Sequence, residues 1–197
     1  MIAAEHELWH RRDRLATWLV LALVIVALLV GWALRVSAET RTISTRVDDL
    51  QLRYPEGWVK ADVDGAMLFE ARDPWATPAH SLITLERRPV ASGVENAMGL
   101  LAQTLSIQRG QEWTAYRVLE TDASADVKGG QGTVVRFAYI DASPNPFYDV
   151  APVLMYGEDR LFQVGDNVYI VTAAAAEDNW PKVRRALDAL VDSLTIG

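Results

Sequence analysis

Cysteine is absent from all 197 residues. That excludes disulfide scaffolds, iron–sulfur ligation, covalently attached c-type haem, thiolate zinc sites, thiol catalysis and a lipidated N-terminal cysteine. A phosphate loop is also missing. The one glycine cluster, Lys128-Gly129-Gly130-Gln131-Gly132, has neither the spacing nor the Lys-Ser/Thr ending that nucleotide binding needs, and it is expected to be a hairpin or loop. No G-x-S-x-G elbow accompanies the isolated His80-Ser81 pair, so His80 is expected on a surface loop. A basic excess is lacking too. The net charge is −7, and residues 36–197 alone carry 15 basic and 23 acidic side chains. That balance argues against nucleic acid and against adhesion to anionic lipid. Repeats and low-complexity segments do not occur.

What is present begins with an apolar run. Leu15 to Leu34 are 20 consecutive residues without a charge, and 18 of them are apolar. As a helix they would cover about 30 Å, the hydrocarbon thickness of a bilayer. Trp18 and Trp32 sit near the two ends, where indoles favour the membrane interface, with Arg14 and Arg35 outside them. The expectation is one transmembrane helix over 15–34, a cytoplasmic tail over 1–14, a linker over 35–46 and an extracytoplasmic domain over 47–197. Arg11, Arg12 and Arg14 on the short tail orient the N-terminus inward. A cleaved signal peptide is the rival reading, with Val36-Ser37-Ala38 as the small-residue site. The length of the run and the acids Glu5, Glu7 and Asp13 before it weigh against cleavage. Inside the run, Ala27 and Gly31 form a small-xxx-small pair that would let the helix of another membrane subunit approach closely. Alanine and glycine are also common in such helices by chance.

The rest of the chain reads as strands, helix, strands, helix. Leu50–Tyr54 alternates apolar with polar, Pro55-Glu56-Gly57 supplies a turn, and Trp58–Lys60, Met67–Ala71 and Leu82–Leu85 continue as strands. Ser92 with Glu95 forms a capping box, followed by Val94, Met98, Leu101 and Leu105 at helical spacing up to Gly110. Tyr116–Leu119, Thr133–Ile140, Val153–Tyr156, Leu161–Val164 and Val168–Thr172 are expected strands, the last two joined by a Gly165-Asp166-Asn167 hairpin. A final helix starts near Asn179 with Pro181 in its first turn and buries Val183, Leu187, Leu190, Val191 and Leu194. The order predicts an α+β domain, an antiparallel β-sheet flanked by helices as an α/β/α sandwich.

Three segments resemble the PsbP-like family, the fold of the extrinsic photosystem II protein that a small Ran-binding import factor shares. They are Leu50–Trp58 (LQLRYPEGW), Asp166–Ala173 (DNVYIVTA) and the ending Asp192-Ser193-Leu194-Thr195-Ile196. The likeness spans Val47 to Ile196 and carries no shared catalytic motif. It implies a docking domain on a larger assembly. The expected protein is a bacterial single-pass inner-membrane protein whose periplasmic PsbP-like domain serves as a non-catalytic accessory subunit. Its partners would be other membrane subunits, in a respiratory or photosynthetic electron-transfer complex, with the lipid bilayer and without nucleic acid or a cofactor.

Candidate chemistry is sparse. His6-Glu7-Leu8-Trp9-His10 fits H-E-x-x-H, the zinc-protease pattern, but a third ligand and a substrate cleft are lacking; an interfacial helix with Leu8 and Trp9 toward lipid is the preferred reading, and the protease is a remote alternative. Asp62/Asp64, Glu158/Asp159 with Asp166, and Glu177/Asp178 could bind calcium, yet no EF-hand spacing occurs, and turns and a helix N-terminus account for them. Pro144, Pro146, Phe147 and Tyr148 in one long connection, and Trp75 between Pro74 and Pro78, are candidate docking residues. The alternative for both loops is that they fold back on their own core. An anchored module for a small ligand, a peptide or calcium is the second functional expectation.

Overall fold

The computed structural model describes residues 17–33, 41–91, 96–142 and 151–196. The chain divides into two units, 1–41 and 42–197. In the first, residues 17–33 form one helix, α1, with every described side chain exposed. Trp18 and Trp32 are 68% and 66% exposed, and a Cβ added to Gly31 would meet nothing within 4 Å. Ala27 lies on the same exposed helix.

This helix corrects the membrane expectation. At 1.5 Å per residue, 17–33 reaches about 25 Å, short of the roughly 30 Å that a bilayer core demands. No helix among the described residues is long and apolar enough to cross a membrane. The single-pass transmembrane assignment over 15–34, and the inner-membrane and periplasmic location built on it, are therefore not supported. His6, Glu7 and His10 lie outside the described residues.

The second unit holds two antiparallel sheets. Strands β1 (Thr42–Val47), β2 (Leu50–Pro55) and β10 (Thr195–Ile196) make a three-stranded sheet in the order β1-β2-β10. Residues 42–46, read as linker from the sequence, thus lie in a paired strand. The larger sheet adds β3 (Val59–Lys60), β4 (Met67–Asp73), β5 (Ser81–Pro89), β6 (Thr114–Val127), β7 (Gly130–Asp141), β8 (Val153–Val164) and β9 (Asn167–Ala176). Its order is β3-β4-β5-β9-β8-β7-β6. Two-residue turns set the register of its long hairpins. Lys128 and Gly129 both take positive φ between paired Val127 and Gly130, and Gly165 with Asp166 links paired Val164 and Asn167.

Two helices cover opposite faces. Helix α3 (Trp180–Ser193) follows a 3-10 turn at Glu177–Asn179, carries Pro181 in its first turn and buries Val183, Leu187, Leu190 and Val191. These four pack with Leu50, Leu52, Phe69, Ile83, Leu85, Val171 and Leu194 in the main core. Each such side chain contributes roughly 1.5–3 kcal/mol on leaving water. Helix α2 (Ala97–Glu112) covers the other face, where Ala97 and Ala102 meet Val135, Leu161, Val168 and Ile170. Its proposed capping box, Ser92 and Glu95, falls outside the described residues. The α+β class with antiparallel sheets and helices on both faces is found, and among the described residues no membrane-crossing helix is.

One strand differs from its expected form. Val153–Tyr156 and Leu161–Val164 are a single strand of 12 residues, β8. Glu158 and Asp159, read as turn residues, sit in its middle and are 1% and 2% exposed. Alternation sends Asp159 to the α2 face and Glu158 to the α3 face. Each finds arginine there, which is how two acids survive in mid-sheet.

Candidate functional site

The site grows from a charged residue on a helical stripe that is otherwise apolar. Along α2, Ala102, Leu105 and Arg109 succeed one another at helical spacing. Arg109 therefore points into the sheet and is buried. Its guanidinium pairs with the Asp159 carboxylate, and its Nη2 donates to Thr172 Oγ1 at 3.2 Å. The same Thr172 hydroxyl donates to Asp159 Oδ1 at 2.7 Å. Asp159 comes from β8 and Thr172 from β9, adjacent residues in register. Three elements are thus fastened at one polar point.

Burial pushes the Asp159 carboxyl above the usual carboxylate range, against the opposing pull of Arg109 and the Thr172 hydrogen bond. Burial works to lower the Arg109 value, but the Asp159 carboxylate overcomes it and leaves Arg109 raised. Both ions are consumed by each other and by Thr172.

Aromatic rings enclose the pair. The Arg109 guanidinium carbon lies 4.9 Å from the Trp113 ring centroid and 4.8 Å from that of Phe137. Trp113 sits 4.5 Å from Tyr139 and 5.9 Å from Tyr116. Phe137 and Tyr139 share the α2 face of β7 by strand alternation. Close approach at Gly157 of β8 makes room for Phe137. A Cβ there would fall 2.2 Å from two Phe137 ring atoms. Trp113 is held by the corner between α2 and β6. Its backbone N–H donates to Arg109 O at 2.8 Å, and Ala115 takes φ +53° at the first irregularity of β6, between Thr114 and Arg117. That left-handed conformation costs alanine on the order of 1 kcal/mol, offset by the strand pairing that follows.

A groove of about 450 Å³ opens beside this cluster, lined by Leu82, Glu112, Trp113, Thr114, Tyr139 and Asp141 among others. Burial first, and the Asp141 carboxylate second, push the Tyr139 phenol up to about 12. The groove lies at the sheet end where β5 begins and β7 finishes. At this end Ala79, Met155 and Ala176 form a small apolar cluster against Tyr139 and Val153.

The sequence candidates fall as follows. Trp75 is 85% exposed, on a loop fixed by Asp73 and Asn179. Asp73 Oδ1 accepts the Trp75 N–H at 3.1 Å and its other oxygen accepts from Lys182 Nζ at 3.0 Å, while Asn179 Nδ2 donates to Thr77 O at 2.9 Å. Pro144, Pro146, Phe147 and Tyr148 lie outside the described residues. His80 is exposed while Ser81 is fully buried, and Ser81 Oγ has no hydrogen-bond partner among the described residues. Asp62 and Asp64 border a polar groove of about 340 Å³ with Asp48 and Lys60. Among the described residues no group of three or more His, Cys, Asp or Glu side chains is placed to hold a metal. Sequence reasoning missed Arg109, Trp113 and Tyr139. Arginine on an apolar helical stripe, and Phe137 with Tyr139 at alternate positions of one strand, were the available signals.

No protein-family model matches the chain, and no curated protein matches it. Solved structures do match. The solution structure of cyanobacterial PsbP (CyanoP) from Synechocystis sp. PCC 6803 aligns with TM-score 0.51 and 14% identity, over 80% of this chain and 92% of that one. The Ran-binding protein Mog1p of Saccharomyces cerevisiae aligns with TM-score 0.53 and 10% identity, over 79% and 95%. LpqN of Mycobacterium tuberculosis, involved in cell envelope biogenesis, aligns with TM-score 0.50 and 8% identity, over 79% and 90%. At these identities the shared property is the fold, a mixed α+β arrangement of the PsbP/Mog1 type. The sequence resemblance to PsbP-like proteins is correct at that level.

Proposed function

We propose that residues 42–196 form a non-catalytic accessory domain that docks on a larger protein assembly through the sheet end bearing the groove. The observation carrying this reading is the internal closure of the Arg109–Asp159–Thr172 centre. The charged pair at the site braces the groove wall and presents no activated group to its opening. Exposed Trp75 on a fixed loop supplies a rigid aromatic anchor of the kind that dominates protein contacts. One of the fold relatives is a Ran-binding protein, which supports a protein-docking role. The resemblance to a photosystem subunit makes an electron-transfer complex the first host to test.

The test is affinity purification of the full chain under mild conditions, with wild type compared with Trp75→Ala. A stoichiometric partner with wild type, depleted at least about tenfold with the variant, is the expected result. Recovery of the chain alone from its native source would overturn the docking role.

A further inference from the structure

We propose that the free border of β1 is a second docking surface, one that takes an extended, acidic segment of a protein partner as an added strand of the small sheet. This surface shares no residue with the groove or the Trp75 loop, and it does not depend on docking through that end.

Three observations on the small sheet point to that occupant. The first is the border itself. Among the described residues β1 pairs with β2 alone, through six consecutive partners from Thr42 with Pro55 to Val47 with Leu50, without a slip. Natural sheets blunt such borders with bulges, proline, charge or brevity. The other three borders here are blunted, since β6 slips three times and β3 and β10 have two residues each. Strand β1 (TISTRV) has no proline, no slip in register and a single charge, and its threonine, isoleucine and valine residues favour strand. The second is an unfinished inner row. Register sets Val47, Thr45 and Ile43 opposite Leu50, Leu52 and Tyr54, on the face that packs against the main core. Leu50 and Leu52 are fully buried, whereas Val47 and Thr45 are half-buried and Ile43 is 42% exposed. Apolar side chains on a neighbouring strand would stand about 5 Å from these three and complete the row. The third is charge on the outer row. Ser44 and Arg46 of β1 and Gln51 and Arg53 of β2 alternate outward and are exposed. Arg46 lies opposite Gln51, which makes Arg53 its diagonal neighbour. The three strands of this sheet contain no acid, and among the described residues neither arginine has an acidic partner. Two neighbouring, unpaired arginines in a chain of net charge −7 are complementary to carboxylates on an incoming strand. An added strand therefore meets a different demand on each face, apolar side chains inward and acids outward. Its main chain supplies affinity through the ladder, and the alternation supplies selectivity.

The test uses the full chain and the probe acetyl-Gly-Val-Glu-Val-Glu-Val-Gly-amide, beside a counterpart with lysine for glutamate and an acidic peptide N-methylated throughout. Isothermal titration calorimetry reads affinity, and hydrogen exchange by mass spectrometry reads location. The acidic peptide is expected to bind with saturation and to slow exchange over residues 42–47. The lysine peptide should bind at least about tenfold more weakly, and the N-methylated peptide, which cannot donate to a ladder, should not bind. Arg46→Glu with Arg53→Glu should weaken the acidic peptide at least about tenfold, and about 0.5 M salt should weaken it as screening requires. Both arginines are exposed, so the double variant keeps the fold, which circular dichroism checks. Equal binding of the lysine peptide, indifference to the charge reversal, binding of the N-methylated peptide or no protection over 42–47 would each overturn the added strand. Protection over 42–47 that exists in the chain alone and fades on dilution would assign the border to a second copy and overturn it as well.

Discussion

Helices α2 and α3 cover the two faces of one sheet by opposite means. Helix α3 buries valine and leucine against a continuous apolar core, and its face of the sheet buries an acid in the middle of β8. There Glu158 accepts Arg136 Nε at 3.0 Å and Arg160 Nε at 2.8 Å, and Arg160 continues to Asp188 on α3. Helix α2 instead brings two alanines and an arginine as its buried residues. Its outer face leaves Leu100 and Ile107 exposed. The α3 face therefore supplies the cohesion, and the α2 face trades apolar contact for a braced polar centre beside a groove. A fold that concentrates stability on one side is able to spend the other on recognition.

The strongest way to break that contrast is Asp159→Ala. It strands a buried guanidinium, and we expect a loss of about 3–5 kcal/mol in urea unfolding of the full chain. Replacing both partners, Arg109→Met with Asp159→Leu, should recover most of that loss, because an apolar pair of similar volume needs no compensation. A double variant no more stable than Asp159→Ala would show that the pair, and not α3, holds the sheet together. Leu187→Ala sharpens the opposite side. Its side chain is fully buried, and the cavity should cost about 2–4 kcal/mol by the same measurement. A cost under about 1 kcal/mol would mean that the α3 face is looser than its packing implies.

The smallest effect is a pH dependence confined to the α2 face. Tyr139 has its phenol raised from 10.0 to about 12 in the folded chain. The unfolded chain releases this proton first, so the associated stability is complete below pH 10.0 and is lost as pH rises toward about 12. Wild type should accordingly lose more stability than Tyr139→Phe between about pH 9 and about pH 11. Parallel losses in the two proteins would remove Tyr139 from the buried cluster.

Legibility followed the same divide. Every residue of the α3 stripe expected from helical spacing, Val183, Leu187, Leu190, Val191 and Leu194, is buried. An aliphatic face announces itself locally, and so do the Gly129 and Gly165 turns. The α2 face did not. Tyr156-Gly157-Glu158-Asp159-Arg160 has the composition of a turn, and only partners 22 and 50 residues away make it strand. Gly157 looks like a breaker but is the space Phe137 requires. The apolar run near the N-terminus erred in the other direction. Composition gave a span of membrane length, whereas the described helix, 17–33, is too short to cross.

Strand β6 has a consequence for how copies of the chain meet. It closes one side of the larger sheet with 14 residues that, among the described residues, pair with β7 alone. Its register slips three times, between Thr114 and Arg117, Val118 and Glu120, and Asp122 and Ala125. Glu120, Asp122 and Asp126 outnumber its one basic residue, Arg117, although Glu120 is paired with Arg136. A second copy would have to match three kinks. The border is thus self-limiting, and the chain guards against growing into a fibre at its longest strand.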